Sequence, residues 1–253
     1  MHWSCDQYTI GNYATDIFPY VDRIVCISPF HVDYHKQRYG ADPERIGYFD
    51  LGVRLWEYDG WQTSQRNGED EEVELRNERI PGRCIYCSVP SRGLDVLRVI
   101  WPMIKERRPD ASLVITADFT LWGADSPGNH KHRLEWADQE DVAFLGNIPR
   151  KQLVQEQQAA QVQAYPCTYD ELFCISAAEC QIAGAVPVTT ATGALRTTNE
   201  WGYILEGVPG SYAWQSHFAD QVVKAMDMAD DERHRRQEQA IDRFNWDRIC
   251  ARL

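Results

Sequence analysis

Long hydrophobic runs are missing from the sequence. No apolar stretch reaches the roughly 18 residues that a membrane-spanning helix needs. The first ten residues, MHWSCDQYTI, have no basic segment followed by an apolar one, so they do not resemble a secretory signal. We therefore expect no membrane span and a cytoplasmic location.

Positive charge is also scarce. The chain has 26 Lys and Arg against 38 Asp and Glu, which gives a formal net charge of −12. A long-range field of this sign opposes binding to nucleic acids and to anionic membranes, although a local basic pocket can still form. We expect no nucleic-acid partner.

The cysteine pattern of a zinc-binding module is absent. The eight cysteines are spread along the chain, and the single CxxC motif, Cys84 and Cys87, has no second pair and no histidine partners. The alternative is a buried strand, in which residues three apart point to opposite faces and cannot share a metal ion. Apolar surroundings at Cys26, Cys174 and Cys180 favour reduced, buried thiols over a disulfide framework.

Short apolar segments alternate with helical patterns along most of the chain. The predicted strands are 23–28, 45–52, 83–89, 112–117, 142–146, 162–166 and 185–190. The predicted helices are 31–39, 92–107, 150–160, 175–184, 215–229 and 231–249. This alternation predicts an α/β fold with a Rossmann-like, doubly wound parallel sheet. The stretches 57–82, which is polar and acidic, and 118–132, which is rich in Gly and His, are predicted to be loops; a cation or partner site is the alternative for the acidic one.

In such a sheet, ligands bind beyond the carboxyl ends of the strands, at helix N-termini. One such end is YCSVPSRGLDVL (86–97), where Arg92 lies at the mouth of a helix and Gly93 allows close backbone approach. This arrangement suits a phosphate, whereas an ordinary exposed arginine is the alternative. A second end, FLGNIPR (144–150), has a backbone that could line a base.

The third strand end is DELFCISAAECQIAGAVPV (170–188). Two glutamates, Glu171 and Glu179, stand eight positions apart in an otherwise nearly uncharged segment. Carboxylates at a loop and a helix start can accept hydrogen bonds from sugar hydroxyls, while helix N–H groups between them can hold phosphate. On spacing alone, two surface glutamates on a helix would be the better explanation of the pattern.

The order of these motifs resembles the donor-binding half of a GT-B glycosyltransferase of the large retaining family four. That family has a Glu-x7-Glu motif followed by a small-residue segment, and here the corresponding residues are Glu171, Glu179, Gly184, Pro187 and Val188. The segments TGALRTT (192–198), 22–53 and the C-terminal FNWDRICARL also resemble family landmarks, so that the similarity extends over roughly residues 20 to 250.

The resemblance implies roles for particular residues. Glu171 would be the catalytic glutamate beside the reacting carbon of the donor sugar, Glu179 would bind the ribose hydroxyls, and Arg92 would bind the diphosphate. Further donor contacts are implied for Ser88, Gly93, Ile148, Phe173, Cys174 and Ile175. One departure is Cys87, which stands where the family often has a phosphate-binding arginine. His31 and His35 are interpreted as structural residues.

The resemblance also implies a division of the chain. Residues 1–56 would be a remnant of the N-terminal acceptor-side domain, because they are too few for a complete one. Residues 57–82 would be a linker, residues 83–230 the nucleotide-sugar-binding domain and residues 231–253 a C-terminal helix.

The expected function is transfer of a sugar from a nucleoside diphosphate sugar to an unknown acceptor hydroxyl with retention of configuration. No cofactor or metal ion is expected, since the donor is a substrate. The alternative is a non-catalytic nucleotide-sugar-binding or partner subunit, and a third hypothesis is a sugar-nucleotide epimerase. The short N-terminal part predicts a homo-oligomer or a partner chain that supplies the acceptor domain.

Overall fold

The computed structural model describes residues 2–3, 18–58, 61–63, 72–74, 78–122 and 127–251. Eleven strands lie within these ranges: β1 (His2–Trp3), β2 (Ile24–Cys26), β3 (Ile46–Tyr48), β4 (Trp61–Thr63), β5 (Glu72–Glu74), β6 (Arg83–Tyr86), β7 (Ser112–Ile115), β8 (Val142–Phe144), β9 (Val162–Tyr165), β10 (Val186–Thr190) and β11 (Tyr203–Leu205). The same ranges contain nine α-helices: α1 (Pro29–Tyr39), α2 (Leu94–Arg107), α3 (Pro127–Trp136), α4 (Arg150–Ala159), α5 (Ile175–Ile182), α6 (Leu195–Thr198), α7 (Tyr212–Met226), α8 (Asp230–Phe244) and α9 (Trp246–Cys250). Within the described residues, no helix combines the length and the apolar character that crossing a bilayer requires.

The main sheet has six strands in the order β11-β10-β9-β6-β7-β8, and every neighbouring pair is parallel. The chain runs outward from β6 through β7 to β8 and then returns to β9 on the other side of β6. This is the doubly wound α/β arrangement, which confirms the predicted fold class. The crevice between the carboxyl ends of β6 and β9 is the position at which such folds bind ligands.

Helices cover both faces of this sheet. On one face, the apolar stripe of α2, including Leu97, Trp101 and Ile104, is buried against the strands together with Phe218 of α7. On the other face, Cys87 packs in a separate cluster with Ile85 of β6 and Cys180 of α5. Cys84 belongs to the first cluster. The two cysteines of the CxxC motif therefore face opposite sides of the sheet, as the buried-strand interpretation requires.

A smaller parallel sheet has the order β1-β2-β3, and α1 connects β2 to β3. Ser28 begins α1, since its hydroxyl accepts a hydrogen bond from the His31 N–H at 3.1 Å. After β3, the chain reaches the C-terminal helices, where Val53 bridges to Asn245. The proposed division into a remnant, a linker and a nucleotide-sugar-binding domain stays a prediction.

Several elements differ from the sequence-based prediction. Part of the predicted loop 118–132 belongs to helix α3, and β11 was not predicted. The predicted helix 231–249 is two helices, because Asn245 has an extended backbone and caps α9 with its side chain. The predicted loop 57–82 contains the antiparallel pair β4 and β5, and the rest of the segment is described only in part.

Candidate functional site

The end of β6 and the start of α2 form one wall of the central crevice. A short 3-10 turn, Pro90–Arg92, follows β6, and Gly93 then begins α2 with a φ of 115°. A Cβ atom at Gly93 would overlap the Pro166 carbonyl oxygen just after β9. Glycine is therefore required here so that the two strand-end loops can touch, and that contact brings Arg92 toward the loop that carries Glu171.

Arg92 and Glu171 form a closely paired group at this point. The Arg92 Nη1 lies 2.8 Å from Glu171 Oε1 and 2.9 Å from Oε2. The guanidinium also stacks over the Tyr169 ring, with 4.5 Å from its central carbon to the ring centroid. Burial alone would lower the pKa of Arg92, but Glu171 together with Tyr165, Cys167 and Tyr169 outweighs burial and raises that pKa.

Two further side chains complete what we call the Glu171 cluster (Ser88, Arg92, Tyr165 and Glu171). The Tyr165 hydroxyl donates to Glu171 Oε1 at 2.6 Å, and the Ser88 hydroxyl lies 3.1 Å from the Tyr165 oxygen. Glu171 is only 4% exposed. Burial raises the pKa of Tyr165 well above its ordinary value, so its proton stays available for the carboxylate.

The backbone of Glu171 is fixed by the turn after β10. The Ala194 N–H donates to the Glu171 carbonyl at 2.7 Å. The neighbouring Gly193 has a φ of 57°, and a side chain on it would collide with the Glu171 backbone. The glycine turn in TGALRTT therefore positions Glu171 by direct contact.

The N-terminus of α5 lies between the two glutamates in the chain. The N–H groups of Phe173, Cys174 and Ile175 donate no hydrogen bond within the part of the chain that the structure describes. Cys174 has a φ of 70°, a strained conformation for a residue with a Cβ, and Ile175 is exposed. These unused donors at a helix start give a ready site for an anion.

Glu179 lies one turn into α5 and is 9% exposed. Its Oε1 lies 2.8 Å from Arg150 Nη1, and its Oε2 accepts a hydrogen bond from Gln157 Nε2 at 3.1 Å. Both carboxylate oxygens are therefore engaged in the ligand-free protein. Each oxygen still has one acceptor position, because a carboxylate can accept about four hydrogen bonds.

Arg150 and Gln157 join Glu179 to a distant segment, the 3-10 turn Leu55–Glu57 and the residue after it. Arg150 donates from Nε to Glu57 at 2.7 Å and from Nη2 to the Tyr58 oxygen at 3.1 Å. The Tyr58 hydroxyl in turn donates to Gln157 Oε1 at 2.6 Å. We call this group the Glu179 cluster (Glu57, Tyr58, Arg150, Gln157 and Glu179).

Burial within the Glu179 cluster affects its ionisable groups. It raises the pKa of Tyr58 well above the ordinary value, so the phenol keeps its proton. Burial alone would lower the pKa of Arg150, but Glu179 together with Tyr58 and Glu57 outweighs burial and raises that pKa.

The structure thus brings Ser88, Arg92 and Glu171 together. The amides of residues 173–175 follow Glu171 closely in the chain. Ile148 is half-buried in the loop between β8 and α4, two residues before Arg150. The sequence interpretation missed Tyr165, Arg150 and Gln157. Tyr165 is the last residue of the central strand β9, and Arg150 is the first residue of the helix that follows β8. In this fold, ligands bind just beyond the ends of strands, so these two positions were the signal that could have identified them.

Comparison with known proteins bears on the family and the fold of the chain. The sequence model of the family described as "Glycosyl transferases group 1" matches residues 88–243, which is more than half of the chain. No curated protein sequence matches the chain significantly.

Three solved structures illustrate the fold similarity. A glycosyltransferase from Rickettsia africae is 14% identical with a TM-score of 0.70, and the superposition covers 97% of this chain and 65% of that one. HepE from Anabaena, in complex with UDP and glucose, is 16% identical with a TM-score of 0.68, and 97% of this chain covers 65% of it. A TarM variant from S. aureus, in complex with fondaparinux, alpha-GlcNAc-glycerol and UDP, is 13% identical with a TM-score of 0.66, and 95% of this chain covers 45% of it.

The chain therefore spans 45% to 65% of the length of these three proteins. Identities this low establish the fold alone, and that fold agrees with the predicted GT-B class. The match of the family model carries the assignment further: the chain belongs to the family of glycosyl transferases group 1.

Proposed function

We propose that the chain binds a nucleoside diphosphate sugar in the crevice between β6 and β9 and transfers the sugar to an acceptor hydroxyl with retention of configuration. The observation that carries this proposal is the pair of buried glutamates, Glu171 and Glu179, on either side of unused amides at the start of α5. Acidic groups suit the hydroxyls of sugar and ribose, and the amides suit phosphate.

Arg92 is the proposed cation for the diphosphate. Within the described residues only Nη1 of Arg92 is hydrogen-bonded, and Nε is buried without a partner, so Nη2 is the donor that can serve a phosphate while the pair with Glu171 persists. As the bond to the diphosphate breaks, negative charge grows on the leaving oxygen. Arg92 and the N–H groups of residues 173–175 would stabilise that charge, as preorganised donors do in such reactions.

Glu171 is the proposed catalytic residue. Its carboxylate, fixed by Arg92, Tyr165 and the Gly193 turn, would lie beside the donor sugar and support the positive charge that develops at its anomeric carbon. The acceptor hydroxyl would form its new bond on the face that the diphosphate leaves and would pass its proton to the departing phosphate oxygen.

Glu179 is the proposed ribose ligand. Arg150 and Gln157 each occupy one of its oxygens and thereby fix the orientation of the carboxylate. The two remaining acceptor positions would take the two ribose hydroxyls. Ile148 is proposed to meet the base through its backbone. UDP is the first nucleotide to test, since UDP is bound in the HepE and TarM structures named above.

A second candidate is a nucleotide-sugar-binding or partner subunit that needs a separate acceptor domain. It is favoured by the ion pairs of the two glutamates, because a carboxylate held by an arginine is as well suited to binding as to catalysis. A homo-oligomer or a partner chain would then complete the cleft. Binding of a donor without any transfer or hydrolysis by the isolated chain would favour this candidate.

Calorimetric titration with UDP, GDP and ADP sugars tests the proposal. We expect one donor to bind, and we expect Arg92→Ala and Glu179→Gln each to weaken it about tenfold or more, which corresponds to roughly one charge-assisted hydrogen bond. The matched controls are Arg196→Ala and Glu206→Gln, which alter an exposed ion pair elsewhere, and these should leave the affinity unchanged. Equal losses in the control variants, or no binding of any donor, would refute the assignment.

Retention is tested by the configuration of the product. If any acceptor is glycosylated, NMR of the new bond should show the anomeric configuration of the donor. Inversion would contradict the proposed mechanism while leaving the binding site intact.

A further inference from the structure

Three possible metal ligands meet where helix α3 contacts the first turn of α2. Asp95 lies in that first turn, and His132 and Glu135 lie three residues apart on α3, so that both occupy the same face of the helix. One candidate ligand atom from each residue lies within 4.8 Å of the other two. None of the three residues has a role in the proposed donor site.

His132 is the member of this group that ordinary packing does not explain. It is 8% exposed, and its Nδ1 is buried without a hydrogen bond. This nitrogen lies 3.6 Å from Asp95 Oδ1 and 3.4 Å from Glu135 Oε2. Because a buried nitrogen without a hydrogen bond costs free energy, its place between two carboxylates requires a physical cause.

Neither protonation state of Nδ1 suits this arrangement by itself. A protonated Nδ1 would donate to one of the carboxylates at about 2.7 to 3.0 Å, which is shorter than both distances in the structure. An unprotonated Nδ1 would direct its lone pair at two negatively charged oxygens. A cation between the three atoms gives each of them a favourable partner, with the imidazole proton on Nε2.

Two of the three separations already match those of a metal site. In a tetrahedral zinc site with bonds of about 2.0 to 2.1 Å, neighbouring nitrogen and oxygen ligands lie about 3.3 to 3.5 Å apart. The distance from His132 Nδ1 to Glu135 is within this range, and the distance to Asp95 is only slightly longer. The Asp95 side chain is 71% exposed, so its carboxylate can move to complete the geometry.

The position of the group at the surface gives an ion a route of entry and leaves space for a water ligand. The Asp95 side chain is exposed, and the Glu135 side chain is half-buried. A competing cation, Lys131, lies 3.5 Å from Glu135 Oε1, which is not the oxygen nearest to His132. The Lys131 side chain is itself well exposed, so this ion pair is weak and can persist or open at little cost.

We propose that Asp95, His132 and Glu135 bind one divalent ion of the zinc class, with water in the fourth position. Imidazole and carboxylate together suit Zn²⁺, whereas Mg²⁺ and Ca²⁺ prefer oxygen ligands alone. The ion would join the first turn of α2 to α3. Helix α3 has the polar sequence PGNHKHRLEW and therefore little apolar surface to bury, so a metal link would stabilise its packing. The ion would take no part in sugar transfer.

The first test is equilibrium dialysis of the metal-free full chain against Zn²⁺, with the bound zinc measured by atomic emission. We expect one ion per chain and a higher midpoint of thermal unfolding with Zn²⁺, but no change with equimolar Mg²⁺. Cysteines can also bind Zn²⁺, so titration with Co²⁺ supplies a second readout. The visible bands of four-coordinate Co²⁺ should appear without the near-ultraviolet band that a thiolate ligand gives. Absence of a bound ion, or a thiolate band, would overturn the proposal.

Variants assign the ligands. Asp95→Asn, Glu135→Gln and His132→Gln should each weaken Zn²⁺ binding about tenfold or more, because an amide is a poor ligand for this ion. The matched controls are Asp138→Asn and His130→Gln, which alter an exposed carboxylate and an exposed imidazole nearby. Both should leave the affinity unchanged. Equal losses in the controls would show that the ion binds the surface without a defined site.

Folding of each variant is monitored by circular dichroism. If the buried His132→Gln does not fold, Asp95→Asn decides the question alone, since Asp95 is exposed and asparagine has the same size. Zn²⁺ should raise the unfolding midpoint of the unaltered chain but not that of Asp95→Asn. Unchanged Zn²⁺ affinity in Asp95→Asn would refute the site.

Discussion

Each of the two glutamate clusters pairs a buried glutamate with an arginine, but the two arginines differ in how many of their nitrogens form hydrogen bonds. In the Glu171 cluster, Arg92 bonds through Nη1 alone among the residues that the structure describes. In the Glu179 cluster, Arg150 bonds through all three nitrogens, to Glu57, Glu179 and Tyr58. An arginine with unused donors can still bind a ligand, whereas one whose donors are all used mainly holds the protein together. The comparison therefore supports the proposal that Arg92 binds a ligand, whereas Arg150 positions Glu179.

The largest effect is expected at the glycine that allows the Glu171 cluster to form. Gly93→Ala should destabilise the protein by about 3 to 4 kcal/mol, because the new Cβ overlaps the Pro166 carbonyl and the residue keeps a positive φ. Urea unfolding measures the loss. The matched control is Gly40→Ala, which also has a positive φ but has open space around it, and it should cost only about 1 to 2 kcal/mol. Equal losses would show that the contact with Pro166 carries no strain.

The second largest loss of stability is expected at Arg150, whose three side-chain nitrogens are all bonded. Arg150→Ala should lower the free energy of unfolding by about 2 to 3 kcal/mol, since it leaves the buried Glu179 without its cation. This value is below that of a fully buried pair because the Arg150 side chain is 32% exposed. Arg196→Ala, at an exposed pair with Glu206, should cost about 0.5 kcal/mol or less. A loss at Arg150 no greater than that at Arg196 would remove the distinction between the clusters.

A smaller effect is expected from the tyrosine of the Glu171 cluster. Tyr165→Phe removes a 2.6 Å hydrogen bond to an ionised carboxylate and should cost about 2 kcal/mol in thermal or urea unfolding. Tyr86→Phe is a matched control, because Tyr86 is equally buried but donates to the neutral Val89 carbonyl. It should cost about 1 kcal/mol. The reverse order would contradict a stronger hydrogen bond from Tyr165 to Glu171 than from Tyr86 to Val89.

The smallest effect is expected from the tyrosine of the Glu179 cluster. Tyr58→Phe removes a hydroxyl that donates to the neutral Gln157 amide, so we expect a loss of about 1 kcal/mol. Tyr20→Phe, at an exposed position, should have no measurable effect in the same unfolding assay. No loss at Tyr58 would mean that the segment Leu55–Glu57 is not coupled to Glu179 through this hydroxyl.

Local patterns were sufficient to predict much of the fold. All seven predicted strands are present, and the apolar stripe of α2 is buried as its period of three to four residues indicated. Helix α3 was missed because PGNHKHRLEW is polar and begins with Pro and Gly, so it lacks an apolar period. Strand β11 was missed because three residues, Tyr203–Leu205, are too few to show alternation.

The candidate site was predicted where its residues lie in one local motif or directly after a predicted strand, as Arg92 does. Glu171, Glu179 and the amides between them belong to one motif of nine residues, so the sequence could indicate them. Arg150 lies 29 residues before Glu179 and 93 after Glu57, and these three meet only through tertiary packing. The roles assigned to the site residues remain predictions until donor binding is measured.

The order of strands in the main sheet also determines the order in which the chain can fold. Strands β6 and β9 are neighbours at its centre, yet β7 and β8 lie between them in the chain. During synthesis, β6 therefore emerges with one edge unpaired until β9 has been made, and such an edge can associate with another chain. Closing a contact across so long a loop is slow. The crevice, formed where β6 and β9 end, is consequently among the last parts of the molecule to appear.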